Sequence, residues 1–213
     1  MISASEALAT LQDGNHRFVT NQLRMAATSH EGRRLSLRSG QEPFAIILGC
    51  SDSRVPAELV FDQGFGDLFV IRVAGNIVAP SQVGSVEFAA ARFGTRLVVV
   101  LGHSQCGAVT ATVEELLGKS TTDSRNLRSI VDRVRPSVEN LMSGRGVDDL
   151  NSLMRDAVRA NVRVSANHLR HGSELLERLI AEAGFRVVGA EYSLDTGIVT
   201  FFDGVDEARA SRT

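Results

Sequence analysis

Residues 97–101 read Leu-Val-Val-Val-Leu and are followed at once by Gly102 and His103. An unbroken apolar run dominated by a β-branched residue, with no polar alternation, describes a strand covered on both faces, as in a parallel sheet under helices. A second run, over 44–48 with two isoleucines, stops at Gly49 and yields to a polar loop carrying Cys50, Asp52 and Arg54. A third, over 68–73, ends in the small-residue turn Ala74-Gly75-Asn76. Helical patterns lie between and after these runs. Pro56 suits the first turn of a short helix reaching Val60, because its fixed φ fits there and its missing N–H is not needed. Residues 80–93 place Val83, Val86, Ala90 and Phe93 at helical spacing and stop at Gly94, and residues 109–117 form a further helix.

The ends of the chain add elements of both kinds. Ser3 and Glu6 have capping-box spacing ahead of Leu8, Leu11 and Phe18, which predicts an N-terminal amphipathic helix with a weak point at Gly14. Residues 21–40 are polar and irregular. From 126 to about 170 the periodicity is helical, with interruptions expected at Pro136 and at the turn over 144–146, and 173–183 is another helix. Two strands, 186–192 and 198–202, joined through Asp195-Thr196-Gly197, form a hairpin at the sheet edge. The expected fold is α/β: a central, mostly parallel β-sheet with an antiparallel edge hairpin, flanked by helices, with an N-terminal helical extension. At 213 residues this is one generous domain over 1–213. Its parts are an N-terminal helical arm (1–40), a core with the candidate metal ligands (41–118), a helical region (119–184) and the edge hairpin (185–203).

Charge narrows the partners. With 23 basic and 25 acidic residues the net charge is −2, so neither a nucleic-acid backbone nor an anionic membrane surface is expected as a partner. No secretory leader or membrane-spanning run is evident, so the expected location is the cytoplasm. In that reducing compartment the two cysteines, Cys50 and Cys106, are thiols, metal ligands or inert core residues before they are a disulfide.

Ligand sites in parallel α/β sheets gather where strands end at their carboxyl edge. Cys50 follows one strand and His103 another, and Cys106 lies three residues beyond His103. Together they make a Cys2His set, the pattern of a zinc site with three protein ligands and one open position for water. Bound water on zinc means hydrolysis or hydration chemistry. Two thiolates weaken the Lewis acid, so the water needs help to ionise. If the loop is extended, positions 50, 52 and 54 face one side, which puts the Asp52 carboxylate beside the metal and the Arg54 guanidinium beside Asp52. An ionised Asp52 would accept a hydrogen bond from the zinc-bound hydroxide, and Arg54 would keep it ionised and off the metal. Without that restraint Asp52 becomes a fourth ligand and closes the site.

Cys50-Ser51-Asp52-Ser53-Arg54-Val55-Pro56 and Gly102-His103-Ser104-Gln105-Cys106-Gly107 closely resemble the two signatures of the β-class carbonic anhydrases. The likeness continues through residues 67–72, 74–76 and 84–88, covers about 40–118 well and 119–184 poorly, and returns at the hairpin with Tyr192. The resemblance implies reversible hydration of CO2 to bicarbonate and a proton, on one Zn2+ per subunit held by Cys50, His103 and Cys106. It makes Asp52 and Arg54 the catalytic dyad and implies a homodimer or homotetramer whose N-terminal helices embrace the partner. Gln41, Phe69, Ala74, Phe88 and Gly107 match substrate-pocket positions, with Phe88 standing where some members have tyrosine. Ile47 occupies the position of a tryptophan found in the bicarbonate-regulated branch, and the chain has no tryptophan, so the plant-type branch is the expected one.

Other readings keep the same ligands. A carbonyl sulfide or carbon disulfide hydrolase would use the zinc hydroxide on a sulfur substrate. A non-catalytic zinc or thiol sensor would keep Asp52 permanently on the metal. His168 and His171 read as helix-surface residues, His16 and His30 carry no signal, and Arg125, Arg128, Arg133 and Arg135 read as a solvated helical face.

Overall fold

The computed structural model describes residues 2–24, 30–144 and 149–205. In chain order its helices are α1 (Ala4–Val19), α2 (His30–Ser36), α3 (Ala57–Val60), α4 (Pro80–Arg92), α5 (Gly107–Leu116), α6 (Arg125–Gly144), α7 (Leu150–His171) and α8 (Glu174–Glu182). The strands are β1 (Ala45–Gly49), β2 (Leu68–Arg72), β3 (Leu97–His103), β4 (Arg186–Tyr192) and β5 (Val199–Asp203), in the sheet order β2-β1-β3-β4-β5. All neighbours pair in parallel except β4 with β5, so the expected α/β sheet and its antiparallel edge hairpin are both present.

The period of two along each strand sends side chains to opposite faces. Ile47, Val99, Leu101, Val188 and Ala190 meet Ala7, Leu8 and Leu11 of α1 and Val60 and Phe61 on one face. Ile46, Leu48, Val98, Val100 and Val187 meet Val86 and Ala89 of α4, Val162 and Ala166 of α7 and Leu176 of α8 on the other. Both faces of β1 and β3 are therefore filled, which is why their sequences show no polar alternation. A third cluster joins Cys50 and Cys106 to Val109 and Val113 of α5, Val134 and Val138 of α6, and Ala157 and Val158 of α7. It walls the carboxyl ends of β1 and β3.

Several expectations need correction. The N-terminal helix packs on its own sheet. Asn15 Nδ2 donates to the carbonyls of Val60 (3.1 Å) and Gly197 (2.9 Å), and its Oδ1 accepts from the Val199 N–H at 2.8 Å. Gly14 does not weaken this helix. A Cβ there would lie 1.9 Å from the Phe61 carbonyl oxygen, so glycine is what lets α1 approach α3 this closely. Within 21–40, the segment expected to be irregular, α2 forms, and its Arg33 donates to the Phe65 carbonyl and the Asp67 carboxylate, contacts that sequence periodicity does not report. Residues 25–29 lie outside the described residues. Helix α6 runs through Pro136 without a break. A mid-helix proline costs about 3 kcal/mol, and burial of Val131, Val134 and Val138 on one face of α6 offsets it. The turn expected over 144–146 falls largely outside the described residues. The arginine group is not a plain solvated face: Arg135 and Arg128 converge on Glu115 at 2.6 Å and 3.7 Å and tie α6 to α5. His168 and His171 do lie exposed on α7. Among the described residues no helix is long and apolar enough to cross a membrane.

Alanine replacing glycine in a helix normally gains about 1 kcal/mol. At Gly14 the sign reverses. Gly14→Ala is expected to destabilise the protein by about 2 kcal/mol through overpacking, measured as a lower urea midpoint with an unchanged slope.

Candidate metal centre

The parallel register of β1 and β3 pairs Gly49 with Leu101, which sets the next residue, Cys50, level with Gly102 and beside His103. His103 is the last residue of β3, and the chain then turns through Gln105, held at φ 58°, to reach Cys106 at the start of α5. That left-handed residue folds the connection tightly enough for Cys106 to point back at the strand end. Cys50 Sγ, a His103 ring nitrogen and Cys106 Sγ all lie within 4.8 Å of one another. All three residues are buried, His103 completely.

The tautomer of His103 follows from its partner. Nδ1 lies 2.9 Å from the Ser104 carbonyl oxygen, which can only accept, so Nδ1 carries the proton and Nε2 presents a lone pair. That Nε2 is buried and has no hydrogen-bond partner among the described residues. An orphaned buried acceptor between two thiols is what a metal ligand looks like without its metal.

The thiols behave as a pair. The neighbouring Cys106 thiol, opposed by burial and aided by His103 and by the backbone at Asp52 and Gly75, pulls Cys50 down to about 4. The same neighbour, now a thiolate, together with burial pushes Cys106 far up. Burial opposes a charge on His103, but Cys50, the Ser104 carbonyl and the Asp52 carboxylate together raise the ring's pKa. Two thiolates this close repel one another, and a cation between them relieves that repulsion.

Asp52 sits at the rim. Its Oδ2 is 3.9 Å from His103 Nε2, and both of its oxygens are engaged by Arg54, at 2.9 Å (Nε to Oδ1) and 2.7 Å (Nη2 to Oδ2). The Arg54 side chain and backbone hold the Asp52 carboxyl well below the usual carboxylate range. The expected pairing is present, but not by extended alternation. The chain turns here, with the Val55 N–H donating to the Asp52 carbonyl and the Arg54 N–H to Asp52 Oδ1, so a two-residue turn brings the charges together. Arg54 Nη2 also reaches the Gln105 carbonyl at 3.3 Å, clamping the loop that carries Cys50 to the loop that carries Cys106.

One anchoring residue had no role in the sequence reading. Arg72, which ends β2, donates to the carbonyls of Cys50 (2.9 Å) and Asp52 (2.6 Å). Its signal was a charge breaking an apolar strand at the carboxyl edge. The pocket residues divide. Ala74 lies in the turn next to Gly75, whose N–H donates to Cys50 Sγ at 3.3 Å, and Gly107 directly follows Cys106. Phe69 and Phe88 form an aromatic cluster with Phe93, with ring centroids 5.6 to 6.2 Å apart, and Phe88 is exposed. Gln41 is exposed and precedes β1, at the strand's opposite end from Cys50. Five strand residues span ~17 Å, so Gln41 does not reach the Cys50 group of its own chain.

Comparison with known proteins gives one consistent answer. The family profile described as "Carbonic anhydrase" matches residues 45–199. Carbonic anhydrase 2 of Mycobacterium tuberculosis is 36% identical over 200 residues, 93% of each chain. The carbonic anhydrase of Mycolicibacterium smegmatis is 39% identical over 195 residues, covering 91% of this chain and 90% of that one. Among solved structures, the β-carbonic anhydrase CafA of Aspergillus fumigatus superposes with a TM-score of 0.74 at 23% identity, covering 97% of this chain and 93% of that one.

Cys106→Ser and His103→Ala are each expected to reduce metal content from about one ion per chain to near none, measured by elemental analysis of the purified protein.

Proposed function

The chain belongs to the β-class carbonic anhydrases, and on that premise we propose that it hydrates CO2 reversibly to bicarbonate and a proton with one zinc ion per chain held by Cys50, His103 and Cys106. The donor set fits: two sulfurs and a neutral imidazole suit a borderline-soft dication, and three protein ligands leave a position for reactant. When bound, zinc supplies the Lewis acidity that lets water ionise near neutral pH.

The observation that carries the reading is the two-pronged Asp52–Arg54 pair at the rim of the ligand group. Asp52 stays ionised and accepts a hydrogen bond from the reacting water, which orients the water's remaining lone pair towards CO2. Arg54 holds both oxygens, so the carboxylate serves as an acceptor beside the metal instead of closing the site as a fourth ligand. The buried wall around Cys50 and Cys106 keeps bulk water from competing for these bonds. CO2 has no net dipole, so an apolar surface positions it without holding it.

Ala74 and Gly107 flank the ligands of their own chain. Gln41, Phe69 and Phe88 face away from them or lie exposed, which fits a homodimer or homotetramer in which a second copy brings these residues to the pocket. Ile47, fully buried mid-strand, offers no hydrogen bond where the bicarbonate-regulated branch has tryptophan, so we assign the chain to the plant-type branch. A cytoplasmic location keeps both thiols reduced and available as ligands.

Zinc-loaded protein is expected to hydrate CO2 at neutral pH in a stopped-flow indicator assay. Sulfide release from carbonyl sulfide or carbon disulfide without CO2 hydration would replace this reading with the sulfur-substrate one. Full zinc with no hydration anywhere between about pH 6.5 and 9 would replace it with the sensor. Arg54→Ala is expected to keep zinc and lose about 100-fold in turnover, and a variant with normal turnover would remove the dyad from the mechanism.

A further inference from the structure

We infer that Asn161 is a positioning residue for the metal group, acting on Cys50 through Gly75; this rests on Cys50, His103 and Cys106 holding a metal. Asn161 lies on α7 and is 1% exposed. Its Nδ2 donates to the Gly75 carbonyl at 2.8 Å, in a buried bond between residues 86 positions apart. The Gly75 N–H in turn donates to Cys50 Sγ at 3.3 Å. Gly75 is thus held on both sides, its N–H by sulfur and its carbonyl by Asn161.

The backbone there needs holding. Gly75 adopts φ 70° and ψ 17°, and a Cβ at this position would lie 3.0 Å from Ala108 Cβ. Only glycine takes this conformation readily, and glycine is also the residue least able to keep one conformation unaided. Asn161 supplies the restraint. A carbonyl oxygen can only accept, so the amide must turn Nδ2 towards Gly75, and this leaves Asn161 Oδ1 buried without a partner among the described residues. Neighbouring α7 positions, Val158 and Val162, fill the same interior with aliphatic side chains. An amide whose oxygen is left without a partner is a poor packing choice, whereas its donor does what no aliphatic group can.

The consequence falls on Cys50. An N–H aimed at a thiolate stabilises the sulfur charge and fixes the direction of its remaining lone pairs. Without Asn161 the Gly75 carbonyl loses its buried partner, the glycine turn relaxes, and the N–H leaves the sulfur.

The test compares wild type, Asn161→Leu, Asn161→Ser and, as a control buried one turn along α7, Ser165→Ala. Zinc affinity is read by chelator competition, and the sulfur-to-metal charge-transfer band is read after loading with cobalt(II). Both Asn161 variants are expected to lose about 10-fold in zinc affinity and to move the cobalt band to longer wavelength, because the filled sulfur orbital is no longer stabilised. Ser165→Ala is expected to change neither. Asn161→Ser covers the case in which the leucine variant does not fold. In wild-type zinc protein the Gly75 amide is expected to exchange slowly with deuterium, and fast exchange there overturns the inference without any variant. A folded Asn161 variant with wild-type affinity and band also overturns it, as does an equal effect in Ser165→Ala. A wild type that takes up neither zinc nor cobalt overturns the metal reading itself, which is a separate result.

Discussion

Everything at the site depends on β1 and β3 lying side by side in parallel. Parallel pairing puts both carboxyl ends at one edge of the sheet, so Cys50 and His103, 53 residues apart in sequence, become neighbours in space. Burial on both faces fixes that register: a one-residue slip would turn Ile46 and Leu48 onto the face occupied by α1 and Ile47 onto the face occupied by α4 and α7. The position of the ligands is thus a by-product of core packing on both faces of the sheet.

Around that edge the charges are arranged so that few degrees of freedom remain. Arg72 fixes the backbone of the Cys50 loop from β2, and Arg54 joins that loop to the one preceding Cys106. His103 is locked in a single tautomer by the Ser104 carbonyl. The Asp52 carboxylate stays within reach of His103 Nε2 while both of its oxygens face a guanidinium. Two sulfurs and an imidazole sit side by side in the interior, and Arg54 engages both oxygens of the neighbouring Asp52 carboxylate.

The sheet was legible because buried parallel strands must be continuous apolar runs: 44–48 and 97–101 announced β1 and β3 within one or two residues. Pro80 and Gly94 marked the ends of α4 for equally local reasons, a preset φ and an allowed positive one. The misreadings share a cause. Gly14 and Pro136 looked like helix breakers because propensity is local, whereas Phe61 and the buried valines that settle the matter come from other elements. Helix α2 has little pattern of its own, and its Arg33 bonds to groups more than 30 residues away. Arg128 and Arg135 read as surface charge until α5 presents Glu115 to them.

The site divides in the same way. Residue type and short spacing singled out Cys50, His103 and Cys106, which the fold brings together, and Asp52 and Arg54, which it pairs. Sequence by itself determined the donor set, the strand ends that carry it and the family that uses it. Only the tertiary structure decided that the Asp52–Arg54 pair forms in a turn, that His103 offers Nε2, that Arg72 and Asn161 support the Cys50 loop, and that Gln41 lies at the wrong end of β1 to serve its own chain. These are distances between groups far apart in sequence, set by packing and hydrogen bonding across the fold, and a linear order of residues does not contain them.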